Sequence, residues 1–268
     1  MTTTSAGAAV DEALAEYLQW RVATLAAIAG NPYGAAVRSE GGLSAFLVRD
    51  NPSPMFNRIC GDVLGDPQAL AGLVDWFARH GCPAAVAVSH RQAAPAEIEV
   101  GDIRLRRLPG WSHQQFLGPT SGAPAAAGSG LRMDPLGGGN FDEFCRIYSD
   151  GFRFPSSQLP LLKAAYADLL TGTRAQGFIA SIEGRAAGVG MVYYAQAGVA
   201  YLGTAATRKP ERGQGCHRAL IAQRIRRAGE LGLPQVAASA SAGSQSSRNL
   251  MAHGLRPVAQ QTLYGLCA

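Results

Sequence analysis

The chain has 268 residues, 47% hydrophobic and 16% charged, the balance of a globular protein long enough for one large domain or, as is expected, two ordinary ones. No run of ~20 uninterrupted apolar residues is present to span a membrane, and residues 1–10 lack the basic and apolar stretches of an export signal. The net charge of +5 is scattered instead of being gathered with aromatics into a stripe, which argues against nucleic acid and for small anionic ligands. Five cysteines without a Cys-x-x-Cys pair argue against a disulfide framework or a zinc site and for the reducing cytoplasm.

Residues 11–28 carry Leu14, Leu18, Val22 and Leu25 at helical spacing, and Asn31-Pro32 ends the run. Residues 35–39 and 43–48 read as a hairpin about Glu40-Gly41-Gly42, and 56–60 as a further strand. Pro67 opens an amphipathic helix that Gly81 stops, and a strand over 84–88 follows. Residues 90–108 are expected as helix, loop and strand, with a last strand-like piece over 111–117. Residues 118–130, rich in Gly, Pro, Ala, Ser and Thr, read as a linker. Beyond it the pattern predicts a strand over 131–136, helices over 141–148 and 158–170, and a hairpin of 178–182 and 186–194 about Glu183-Gly184. A strand over 199–207, a helix over 216–231 and a strand over 235–241 close the series. The halves share an order of helices, hairpin, helix and strand, an internal duplication by element order. The fold class expected is α/β (α+β): two halves, each a mixed, mostly antiparallel sheet flanked by helices.

The most informative stretch is Arg212-Gly213-Gln214-Gly215, between the 199–207 strand and the 216–231 helix. Two glycines allow a sharp turn and close approach of a ligand to the backbone, and the helix that follows aims unpaired N–H groups at that turn. No Ser, Thr, Asp or Asn stands ready to cap it. Arg208, Lys209, Arg212 and Arg218 cluster where the helix dipole favours anions, so an anionic ligand such as a diphosphate is expected.

This segment resembles motif A of the GNAT superfamily of acyl-coenzyme A-dependent N-acyltransferases, Arg/Gln-x-x-Gly-x-Gly/Ala at a strand-to-helix turn. It reads Arg212-Gly213-Gln214-Gly215-Cys216-His217, with His217 in the place of the last small residue. Downstream, Gly243-Ser244-Gln245-Ser246-Ser247-Arg248-Asn249 and Gly254-Leu255 look like motif B and its closing Gly-Phe pair, with Leu255 for Phe. The resemblance implies two GNAT-like halves: a degenerate domain over 1–117, a linker over 118–130, and a GNAT domain binding acyl-CoA over 131–268. The corresponding turn of the first half, Gly61-Asp62-Val63-Leu64-Gly65-Asp66, carries two carboxylates and no basic residue and would repel a diphosphate. That half is expected to shape the acceptor pocket or to stabilise the pair.

The resemblance further implies that the first signature strand splays from the next, that the pantetheine arm fills the gap, and that a strand N–H meets the thioester oxygen. By position these residues are Ala205, Ala206 and Thr207, facing Ala237, Ala238 and Ser239. Arg212, Gly213, Gln214, Gly215, Cys216 and His217 would hold the diphosphate, and Ser244 and Asn249 would contact the pantetheine or cap the last helix. Leu250 stands where many relatives carry a tyrosine as general acid, leaving Tyr201, Tyr264 or solvent for that role. Asp150, Glu183 and Tyr193 are the polar choices for a base, each read as structural. Cys216 invites covalent catalysis at a helix start, but direct transfer needs no acyl-enzyme. The Arg224, Arg226, Arg227 run reads as a solvated helix face.

The function expected is an N-acyltransferase moving acetyl from acetyl-CoA, or another acyl-CoA, to a primary amine of a small molecule, with no metal, nucleic acid or membrane partner. A non-catalytic acyl-CoA-binding module is the alternative.

Overall fold

The computed structural model describes residues 6–121 and 130–267, which hold thirteen strands and six α-helices. In chain order they run α1 (Ala6–Ala26), β1 (Ala35–Glu40), β2 (Leu43–Val48), β3 (Arg58–Cys60), α2 (Pro67–Arg79), β4 (Ala85–His90), β5 (Glu97–Val100) and β6 (Ile103–Pro119). There follow β7 (Leu131–Pro135), α3 (Phe141–Phe152), α4 (Leu159–Tyr166), β8 (Ala175–Ile182), β9 (Arg185–Tyr194), β10 (Val199–Tyr201) and β11 (Ala205–Thr207). The last four are α5 (Cys216–Glu230), β12 (Gln235–Ala240), α6 (Gln245–Ala252) and β13 (Arg256–Leu266). The chain divides into two units, one of residues up to 115 together with 257 onward, the other of residues 116–256.

In the first unit the strand order is β1-β2-β3-β4-β13-β6, with β5 beside β6. β1 and β2 are antiparallel, Ala35 opposite Val48, and β3 runs parallel to β4, Ile59 opposite Val86. Gly41 and Gly42 both have positive φ, the requirement of the tight hairpin turn whose twist matches the strands. The core gathers Leu43, Leu47 and Ile59 from the strands and Leu70, Leu73 and Phe77 from α2. Asp66 caps α2, its Oδ1 accepting from Ala69 N at 2.9 Å, with Pro67 opening the helix. Asp66→Ala is expected to cost about 1 kcal/mol of unfolding free energy, read from a urea midpoint shift at constant slope.

Two stretches depart from expectation. No helix forms over residues 90–108; bends lead into the β5–β6 hairpin, Pro95 interrupting the six residues between β4 and β5. A final strand, β13, pairs with β4, Thr262 opposite Val88, so residues from 257 onward go with the first unit and not with the second. At the middle of the chain, residues 118–119 continue β6; residues 122–129 of the expected linker lie outside the described residues.

In the second unit the order is the end of β6, then β12-β10-β9-β8-β7, with β11 on β9. Helix α5 covers one face: Leu220, Ile221, Ile225 and Ala228 share a core with Ala200, Leu202, Val236 and Ala238. Helix α3 covers the other, Gly151 lying so close to Ala206 that an added Cβ would stand 2.5 Å from that side chain.

Candidate active site

β10 runs parallel to β12, with Tyr201 opposite Ala237, and the pairing stops where Leu202 N donates to the Ala237 carbonyl at 2.7 Å. β11 pairs with β9 alone, Ala205 opposite Gly190 and Thr207 opposite Gly188. Met191 N donates to Thr204 O and Arg208 N to Ala187 O, both at 2.9 Å. Backbone groups alternate sides along an antiparallel ladder, so residues 204, 206 and 208 turn to β9, and the N–H groups of Ala205 and Thr207 turn to the unpaired side. An extra residue causes the parting. Ala200 and Leu202 pack toward α5, yet so do Ala205 and Thr207, whose partners Gly190 and Gly188 lie against Arg224 and Leu220. An unbroken strand would keep the even positions there; the switch at residues 202–204 is a bulge.

The turn after β11 leaves the start of α5 uncapped. Gly213 and Gly215 both have φ of +85°, and Gly215 is the left-handed N-cap of α5, with no side chain bonding to the helix start. Among the described residues no acceptor takes the amides of Gly213, Gln214 or Gly215. The contrast with α2, sealed by its own Asp66, is local and chemical. Of the four nearby cations, Arg208 is held by Glu143 at 2.5 Å and Arg212 Nε reaches Thr207 O at 3.4 Å. Lys209 and Arg218 make no ion pair among the described residues. The Thr207 hydroxyl and Arg208 Nε are buried without partners. Orphaned polar atoms, uncapped amides and excess cations fit an anionic group at this turn. Beside it lies a cavity of about 630 Å³ lined by Arg153, Arg185, Arg208, Lys209 and Arg212 against three carboxylates.

His217, expected at the cradle, faces α6. Gln245 donates to Asn249 Oδ1 at 2.9 Å, which turns Asn249 Nδ2 to His217 Nδ1 at 3.0 Å. Nδ1 therefore accepts and the ring proton sits on Nε2. Burial, with Arg224 and His253 adding like charge, pushes this imidazole down to about 4, so it is neutral at physiological pH. Ser244 caps α6, its Oγ accepting from Ser247 N at 3.1 Å. The Ser244 and Asn249 side chains are thus committed to protein partners. Between pH 6.5 and 4 the unfolded chain takes up a proton that folded His217 refuses, so this group's stabilising contribution is lost as pH falls through that window. On the order of 3 kcal/mol is at stake. Melting temperature against pH should fall more steeply on the acid side for the wild type than for His217→Gln; parallel curves would contradict the buried neutral ring.

The chemistry-bearing candidates sort by position. Leu250, in the tyrosine's place, is buried in the core. Tyr201 is on the gap, its hydroxyl donating to Ser239 Oγ at 3.1 Å between β10 and β12. Tyr264 belongs to the first unit, where its hydroxyl meets His90 and the Pro95 carbonyl. The Cys216 thiol is buried and pushed up by that burial, which closes it as a nucleophile. Asp150 is exposed, Glu183 stands in the β8–β9 turn beside Arg185, and the Tyr193 hydroxyl accepts from Arg174 at 3.0 Å. Two residues escaped the sequence reading. Tyr166, from α4, meets Thr204 Oγ1 at 2.5 Å at the bulge, and nothing in its spacing marks it. Arg224, read as solvated, is 1% exposed, because its spacing of four from Leu220 puts it on the buried stripe.

Residues 141–255 match the Acetyltransferase (GNAT) family. No curated protein matches the chain. Among solved structures, a GCN5-related N-acetyltransferase from Kribbella flavida is similar at a TM-score of 0.66 and 14% identity, over 99% of this chain and 97% of that one. A tandem GNAT protein from the clavulanic acid biosynthesis pathway gives 0.59 and 14%, over 93% and 94%. A GCN5-related N-acetyltransferase from Sphaerobacter thermophilus gives 0.56 and 14%, over 84% and 76%. At such identities the likeness is one of fold, and it extends over nearly the whole length. The matched stretch of residues 141–255 takes in the parted strands and the glycine turn, so the second unit carries a GNAT acetyltransferase domain.

Proposed function

We propose that the protein is an N-acetyltransferase that moves acetyl from acetyl-CoA directly to a primary amine of a small molecule, with the donor held by the second unit. The observation that carries this reading is the coincidence of a strand edge turned to an unpaired side, at Ala205 and Thr207, with an uncapped helix start at Gly215, eight residues beyond the end of β11. The amides and cations of residues 208–215 support the diphosphate, and the gap between β11 and β12 supports the pantetheine arm. Transfer would form the amide N–C bond and break the thioester C–S bond, with the amine proton leaving to solvent and the thiolate departing with little assistance. No carboxylate or histidine at the gap is needed as a base when the amine arrives neutral. A strand N–H at Ala205 would take the developing oxyanion. Free cysteines and the composition support a cytoplasmic site of action.

A second reading, a non-catalytic acyl-CoA-binding module, is favoured by one observation: Leu250 packs into the core where the family's proton-donating tyrosine stands. One experiment separates the two. Incubation with acetyl-CoA and a panel of small primary amines should release thiol only when an amine is present. Donor binding without any acceptor-dependent release across the panel favours the module.

A further inference from the structure

The guanidinium of Arg224 is fully buried on the inner face of α5. Its Nε donates to Leu220 O at 2.9 Å, and its Nη1 to Met191 O and Gly203 O, both at 3.1 Å. No carboxylate is among these partners. A buried cation satisfied only by main-chain carbonyls is expensive, and an apolar side chain of like volume on this stripe would pack without that cost. What the charge achieves is shown by where the carbonyls are. Gly203 lies in the bulge at which β10 leaves β12, and Met191 lies on β9, its N–H already bonded to Thr204 O at 2.9 Å. Gly190, next to Met191, has no Cβ, and one added there would stand 3.2 Å from the guanidinium carbon.

We propose that Arg224 is the positioning residue for the donor's pantetheine arm: by tying the bulge carbonyl of Gly203 to β9 it holds β11 off β12 and keeps the gap between them open. This rests on the donor reading above. Arg224 need not touch the donor. It acts through the bulge, since without a donor on Gly203 O the chain between Tyr201 and Ala205 can relax toward regular pairing with β12, which would close the place the arm occupies.

The test separates the two parts of the donor. Acetyl-CoA uses both the glycine turn and the gap, whereas 3′-phospho-ADP uses the turn alone. With Arg224→Met, calorimetry is expected to show acetyl-CoA affinity lowered at least tenfold and 3′-phospho-ADP affinity unchanged within about twofold. Arg224→Lys, which keeps the charge and one N–H donor head for the Gly203 and Met191 carbonyls, is expected to recover part of the loss, and it decides the matter if the methionine variant does not fold. Equal losses for both ligands would reduce Arg224 to a general structural role and overturn the proposal, as would full acetyl-CoA affinity in a folded variant. Failure of the wild type to bind either ligand would instead bring down the donor reading, and the proposal with it.

Discussion

Gly215→Glu is expected to weaken acetyl-CoA binding at least a hundredfold in calorimetry, more than any other single change at the turn. Two effects add. Gly215 sits at φ +85°, where an L side chain costs about 1–2 kcal/mol, and the new carboxylate would lie at the helix start, where a diphosphate is to be held. Gly215→Ala separates them: its Cβ would meet only Leu131 Cδ1, at an ordinary 3.6 Å, so strain alone should cost no more than about thirtyfold. Alanine as damaging as glutamate would show that the turn's shape matters and its charge does not. If the excess of basic residues instead served nucleic acid, salt-sensitive affinity for DNA or RNA would survive Gly215→Glu largely intact.

The second large effect concerns a single N–H. Ala205 N is not part of the ladder to β9, so Ala205→Pro removes no strand hydrogen bond and should leave the melting temperature within a few degrees. If that N–H stabilises the oxyanion, kcat with any productive amine should fall by about 10²–10³ while acetyl-CoA affinity changes little. Ala206→Pro is the opposite control, since its N–H faces β9 and its loss should destabilise the sheet. Full turnover in Ala205→Pro would place the oxyanion donor elsewhere.

Much of this was legible from residues alone, and the failures have physical causes. The glycine turn, the α5 start and the paired hairpins were readable because Gly213, Gly215, Gly41, Gly42 and Gly184 all mark positive φ. The bulge was not, because residues 203–207, Gly-Thr-Ala-Ala-Thr, are small on both sides, and a switch of facing leaves no trace when Ala follows Ala. The strand over 256–266 was missed because Gln260, Gln261 and Thr262 interrupt any apolar alternation, although Gln261 and Thr262 are buried in partnered positions. Arg224 shows the cost of reading charge before spacing. Arginine is rarely buried, yet the helical period that put Leu220, Ile221 and Ile225 inside put Arg224 inside as well. The contact of Asn249 with His217 depends on two helices meeting, α5 and α6, which no local pattern encodes.

Whether the donor occupies the second unit's parted strands is tested most directly by a crystal structure determined with acetyl-CoA. The diphosphate should lie within hydrogen-bonding distance of the Gly213–Gly215 amides, with the pantetheine arm along β11 where a strand partner would otherwise be. Acetyl-CoA bound away from that turn, or β11 found paired with β12 at ligand saturation, would contradict it.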